Sequence, residues 1–174
     1  MKLKGLLVIV LLFVFSASLS LIGMEKKPVD PVNWRKLIKF LTDIPGWKAV
    51  GEPEGSSVSM AGFKISQAER SYTAGDSNLK ISITDGGYVP MVYVAFKMAM
   101  NFEIDTSEEY TKKVNIKGFA GIEQYEYKVN EGKVIILIGE RFLVNLEGEN
   151  VKDTSGLRAI ANSLDLEGIA KLAK

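Results

Sequence analysis

The stretch 111–147 is cut into four strand-length segments by three short turns, and this constrains the fold more than any other feature of the chain. The turns read Lys117-Gly118, Asn130-Glu131-Gly132 and Gly139-Glu140, and the segments are 111–116, 122–129, 134–138 and 142–147. Connections this short join neighbouring strands that run antiparallel, so a meander is expected. Val134-Ile135-Ile136-Leu137-Ile138 is apolar at every position while its neighbours alternate. Such a strand is expected centrally, covered on both faces, so helix or loop should flank the sheet on either side.

Upstream, Phe63 opens a further strand-like segment, 63–73, and a turn at 74–77 leads to Leu79, Ile81 and Ile83 alternating with Lys80, Ser82 and Thr84. That pattern is a hairpin with one buried face. Trp34, Leu37, Ile38 and Leu41 fall at i, i+3, i+4 and i+7, which predicts a helix over 31–42, capped by Asp30 with Pro31 at its first position. Ile44-Pro45-Gly46 ends it, and 47–50 begins an extended segment. Pro53, Gly55 and a run of Ser make 52–59 read as an exposed loop. A helix is expected from Pro90 to about residue 100, and two more follow caps at Asp153 and Asp165. The expected class is α+β: an antiparallel β-sheet flanked by helices, an α/β/α sandwich filling 31–174 as one domain.

Before that domain stand Lys2, Lys4 and 20 uncharged residues, 5–24. A basic start feeding an apolar run is an export signal, and Ser16-Ala17-Ser18 or Ser18-Leu19-Ser20 offers small residues for cleavage. Left uncut, the run would make a helix of about 30 Å, enough to span a bilayer. Basic residues ahead of it place the following domain outside the cytoplasm. Residues 25–30 read as a polar spacer, so 1–24 is a signal peptide or a membrane anchor and the localisation is extracytoplasmic.

The chain has no His and no Cys. That removes the commonest general base, the commonest metal ligand and the thiol nucleophile, together with disulfides and lipid attachment at a cysteine. Setting aside Lys2 and Lys4 leaves 20 basic against 21 acidic residues, with no block of like charge. A nucleic-acid partner is therefore not expected. No catalytic, cofactor or metal residue is assigned.

Four features were weighed for chemistry. Glu103, Asp105, Glu108 and Glu109 are the densest carboxylates, but they lack the order of a calcium loop and read more simply as a turn with solvated acids. Asp85-Gly86-Gly87 follows a strand and precedes a helix without either phosphate-loop pattern, so its glycines are expected to serve a turn with positive φ. The helix from Pro90 is apolar nearly all round, apart from Lys97, which reads as a core helix. Its Met residues leave docking of an apolar ligand as the other reading. Trp34 and Trp47 read as a packing corner rather than a binding platform.

With Ile44-Pro45-Gly46-Trp47, the Ala68-Glu69-Arg70-Ser71-Tyr72 segment and Gly118-Phe119-Ala120-Gly121, the chain resembles a loose group of exported prokaryotic proteins. Over 31–170 its order of elements is similar to the PsbP-like fold, in which an antiparallel sheet lies between helices. The resemblance implies a non-catalytic role, assisting or docking to membrane assemblies. The metal and partner sites of that family use residues, including His, that are missing here, so no site is carried over. Three functions are expected in order: an exported, non-enzymatic domain binding a protein or cell-envelope component; a carrier of a lipid or other apolar ligand; and a hydrolase using a Ser-Lys pair or two of Asp85, Glu103, Asp105 and Glu109. Membrane contact is expected through 1–24 where that segment is retained.

Overall fold

The computed structural model describes residues 29–60, 62–87 and 90–173, with backbone alone for 90–92. The signal or anchor segment, 1–24, lies outside the described residues. Eight strands form one antiparallel sheet: β1 (Lys48–Met60), β2 (Phe63–Ala74), β3 (Ser77–Asp85), β4 (Ile104–Asp105), β5 (Glu109–Ile116), β6 (Phe119–Glu126), β7 (Glu131–Ile138) and β8 (Phe142–Glu149). Their order across the sheet is β1-β2-β3-β8-β7-β6-β5-β4. The meander is thus β5 to β8, and β8 meets the β1–β3 hairpins through an antiparallel pairing with β3.

Turn chemistry sets these registers. Ile116 pairs with Phe119 across a two-residue turn in which Lys117 and Gly118 have φ of 51° and 86°. Two positive φ values twist a hairpin with the hand the strands need. This tight closure starts β6 at Phe119, three residues earlier than the sequence pattern suggests. Gly139 and Glu140, also at positive φ, turn β7 into β8, so Ile138 faces Phe142 and Lys133 faces Glu147.

One face of the sheet carries the main core. Leu79, Ile81 and Ile83 of β3, Val134, Ile136 and Ile138 of β7, and Phe142, Val144 and Leu146 of β8 point to this face and are buried. They are covered by α1 (Trp34–Leu37) with the 3-10 turn Ile38–Phe40, by α3 (Ser155–Ser163) and by α4 (Leu166–Lys171). Gly132 and Gly148 sit under Leu157 and Val151, where a Cβ on either would lie 3.0 to 3.2 Å from those side chains. The glycines let α3 approach the sheet closely.

The other face carries α2 (Pro90–Ala99), whose Phe96 packs with Ile122 and Leu137 into a small second cluster beside Ile135 and Leu143. The sandwich expectation is therefore corrected: the protein is a β-rich fold built on one large sheet with a few short helices, not a sheet between two helical layers. The stretch 134–138 of central β7 is apolar at every position because Ile135 and Leu137 on its second face meet this small cluster. The core-helix reading of α2 fails with it. Phe96 is buried, but Ala95, Lys97 and Ala99 are exposed and Met98 is 57% exposed.

Two further corrections have local causes. The segment 52–59 is not a loop but most of β1, an edge strand. A register shift between Val50 and Glu54 accommodates Pro53, and an edge strand tolerates a residue without N–H. Gly55 is required there because the Trp34 ring occupies the place of a Cβ. The first helix starts at Trp34, not Pro31, because Asn33 is its cap, accepting from the Arg35 N–H at 2.9 Å. Asp30 is occupied elsewhere, with Lys64 on its carboxylate and Arg141 on its carbonyl. Asp165 does cap α4, accepting from the Gly168 N–H at 2.8 Å. Among the described residues no helix is long and apolar enough to cross a membrane.

Candidate functional site

The side of the sheet away from the main core divides into two parts. Under α2 it is apolar, whereas across β1, β2, β3 and the adjoining part of β8 the pairing puts Ser56, Gln67, Glu69, Ser71 and Lys80 on the surface side, with Ser82 buried on the same face. Alternation gives this result most plainly on β3, where Leu79, Ile81 and Ile83 between these residues belong to the core. At the junction of β3, β8 and β7 lies a row of charge. Glu147 Oε1 accepts from Lys133 Nζ at 2.7 Å and from Asn145 Nδ2 at 3.0 Å, and Oε2 lies 3.3 Å from Lys80 Nζ.

Burial, the largest single influence on Glu147, favours its protonated form. The hydrogen bonds from Lys133 and Asn145 and the charges of Lys133 and Lys80 together outweigh it, holding the pKa down to about 2. Glu147 is consequently a fixed anion at neutral pH, too weak a base for proton abstraction. Asn145 Oδ1 is buried beside it and has no hydrogen-bond partner among the described residues. A depression of about 340 Å³ adjoins the row, lined by Ser71, Thr73, Asn78, Lys80, Glu147 and Glu149 among others. Hydroxyls, an amide and paired charges suit hydrogen bonding to a polar partner.

The expected site residues fall apart. Asp85 is fully buried and serves as a clasp: Arg141 Nε and Nη2 donate to its two oxygens at 2.9 and 2.8 Å, and the Val32 and Gly87 N–H groups donate at 2.8 and 3.0 Å. Gly87 has no positive φ, so for that glycine the expectation is corrected. Gly87 is needed for space, since a Cβ would meet Arg141 Nε at 2.9 Å. Asp105 ends β4, and the turn into β5 is tied by Thr106 Oγ1, which accepts from the Glu108 and Glu109 N–H groups. Glu108 pairs with Lys128 at 2.6 Å. Glu103 and Asp105 line a second depression of about 350 Å³ with Ile104, Thr111, Lys112 and Lys113. Among the described residues no group of three or more carboxylates is placed to hold a metal ion.

For Ser-Lys chemistry, the register sets Ser71 opposite Lys80. Lys80, however, spends its charge on Glu147, where a lysine acting as base would have to be neutral. Trp34 packs on Gly55 with Arg35 stacked over its ring, and Trp47 packs against the main core.

Two polar clusters escaped the sequence reading. One is the Glu147 row, for which a signal existed: the Gly139-Glu140 turn fixes Lys133 opposite Glu147. The other is Glu123, buried on the core side, which accepts from Thr154 Oγ1 at 2.7 Å and has Arg158 at 3.4 Å. Tyr110 Oη shares a hydrogen bond with the same Thr154 hydroxyl at 2.8 Å. The Glu123 group joins β5, β6 and α3, and explains why Thr154 does not cap α3 through its side chain. No protein-family model, curated protein or solved structure matches the chain.

Proposed function

We propose that the folded part is a non-catalytic binding domain, held outside the cytoplasm, that recognises a polar protein or cell-envelope component through the open face of β1, β2, β3 and β8. The observation that carries this reading is the Lys80–Glu147–Lys133 row, of which Lys80 and Glu147 line a surface depression. Charges already neutralised by one another bind through directed hydrogen bonds and complementary shape rather than through net attraction. A fixed carboxylate between two ammonium groups also fits recognition better than proton transfer.

Photo-crosslinking in intact cells tests this, with the probe at Ser71 on the open face and at Lys152 near the helix-covered face. A defined adduct from position 71, absent from position 152, is the expected result. Adducts from position 152 alone would place binding on the other side of the sheet and end this reading.

A further inference from the structure

The helix that was expected in the core lies on the surface, and among the described residues its exposed side chains are apolar apart from Lys97. Met98 is 57% exposed, Phe102 just beyond the helix 63%, and Ile104 at the start of β4 38%. Large apolar groups gathered on one helix and its exit are normally covered. The polar groups of this helix sit as they do on helices lying in a membrane interface: Lys97 Nζ lies 5.2 Å from the centroid of the Tyr93 ring, and Tyr93 Oη donates to Glu140 at 2.8 Å.

The path of the chain says what covers the patch. Val29, the first described residue, donates its N–H to the carbonyl of Gly87 at 3.1 Å, so the N-terminal segment meets the fold at the loop that leads into α2. Only residues 25–28 separate Val29 from the uncharged run 5–24. Fully extended, the chain from Met24 to Val29 reaches at most about 18 Å. The ten residues of α2 are themselves about 15 Å long.

We infer that α2, with Phe102 and Ile104, rests in the surface of a lipid bilayer in which residues 5–24 are anchored. The inference builds on the extracytoplasmic reading proposed above and adds the orientation of the domain. A membrane-held segment leaves α2 no farther than roughly its own length from the lipid, and the exposed Met and Phe side chains supply the apolar contact.

Because the chain has no Cys, single cysteines can carry an environment-sensitive fluorophore. Leu12→Cys, Met98→Cys, Phe102→Cys and Val58→Cys would be made in the full chain, reconstituted in phosphatidylcholine vesicles and quenched with spin-labelled lipid. Quenching at positions 12, 98 and 102, at least about threefold stronger than at 58 on the far edge strand, is expected. Quenching at 12 without 98 and 102, or equal quenching at 58, overturns the orientation and leaves the anchor standing. No quenching at 12 removes the anchor and the inference with it.

Discussion

Two ion-pair sites of the sheet, at Asp85 and at Glu147, are built from the same chemistry and end in opposite states. Asp85 is fully buried, and each of its oxygens takes one bond from the Arg141 fork and one from a backbone N–H. Glu147 lies half-open between two lysines, with an orphaned amide oxygen beside it. A buried pair with every lone pair engaged fastens elements together, here the N-terminal segment, the exit from β3 and the start of β8. A pair left partly solvated, with an unmet acceptor next to it, contributes little to folding and remains available to a partner. The difference separates what holds this protein together from what it presents.

Breaking the clasp should give the largest effect. Arg141→Ala leaves Asp85 buried without its counter-charge, and we expect a loss of about 3–5 kcal/mol in urea unfolding. A loss below about 1 kcal/mol would show that the clasp does not fasten the fold.

The open pair should give a smaller, pH-dependent effect. Glu147 has its pKa lowered from 4.5 to about 2 in the folded protein, so the stability it contributes is present above pH 4.5 and is lost as pH falls through about 2. Since a third of the side chain is solvated, about 1 kcal/mol is expected after screening. Urea midpoints of the native chain and Glu147→Gln should therefore differ at pH 6 and converge near pH 2. A gap that stays constant over that range would mean that the carboxylate charge contributes nothing.

The contrast also explains what could be read from the sequence. Alternation on β3 and β8 and the glycine turns of the meander are local signals, so the strand of Leu79, Ile81 and Ile83 and the segments 111–116, 122–129, 134–138 and 142–147 were legible as antiparallel neighbours, though their ends differ from those of β3 and β5 to β8. The Lys133–Glu147 half of the row follows from one turn. Lys80 joins it only through the β3–β8 pairing, which brings together residues far apart in the chain and leaves no local trace. Arg141 was hidden for the same reason, being a turn residue whose partner is 56 positions away. The part of strand β1 from 52 to 59 was missed because an edge strand needs no apolar face, and its Ser, Gly and Pro resemble a loop. The helix from Pro90 was placed correctly but assigned to the core, since apolar composition does not say how much sheet lies beneath a helix. Phe96 is buried in the small patch there, with Tyr93 and Met100 only partly covered beside it.

The central claim is that the open pair presents rather than fastens, and Lys80→Ala tests it most directly when crosslinking from position 71 and the melting temperature are measured on the same variant. The account predicts a Tm within about 3 °C of the native chain and an adduct yield reduced at least about tenfold. An unchanged yield, or a Tm drop as large as that of Arg141→Ala, would contradict it.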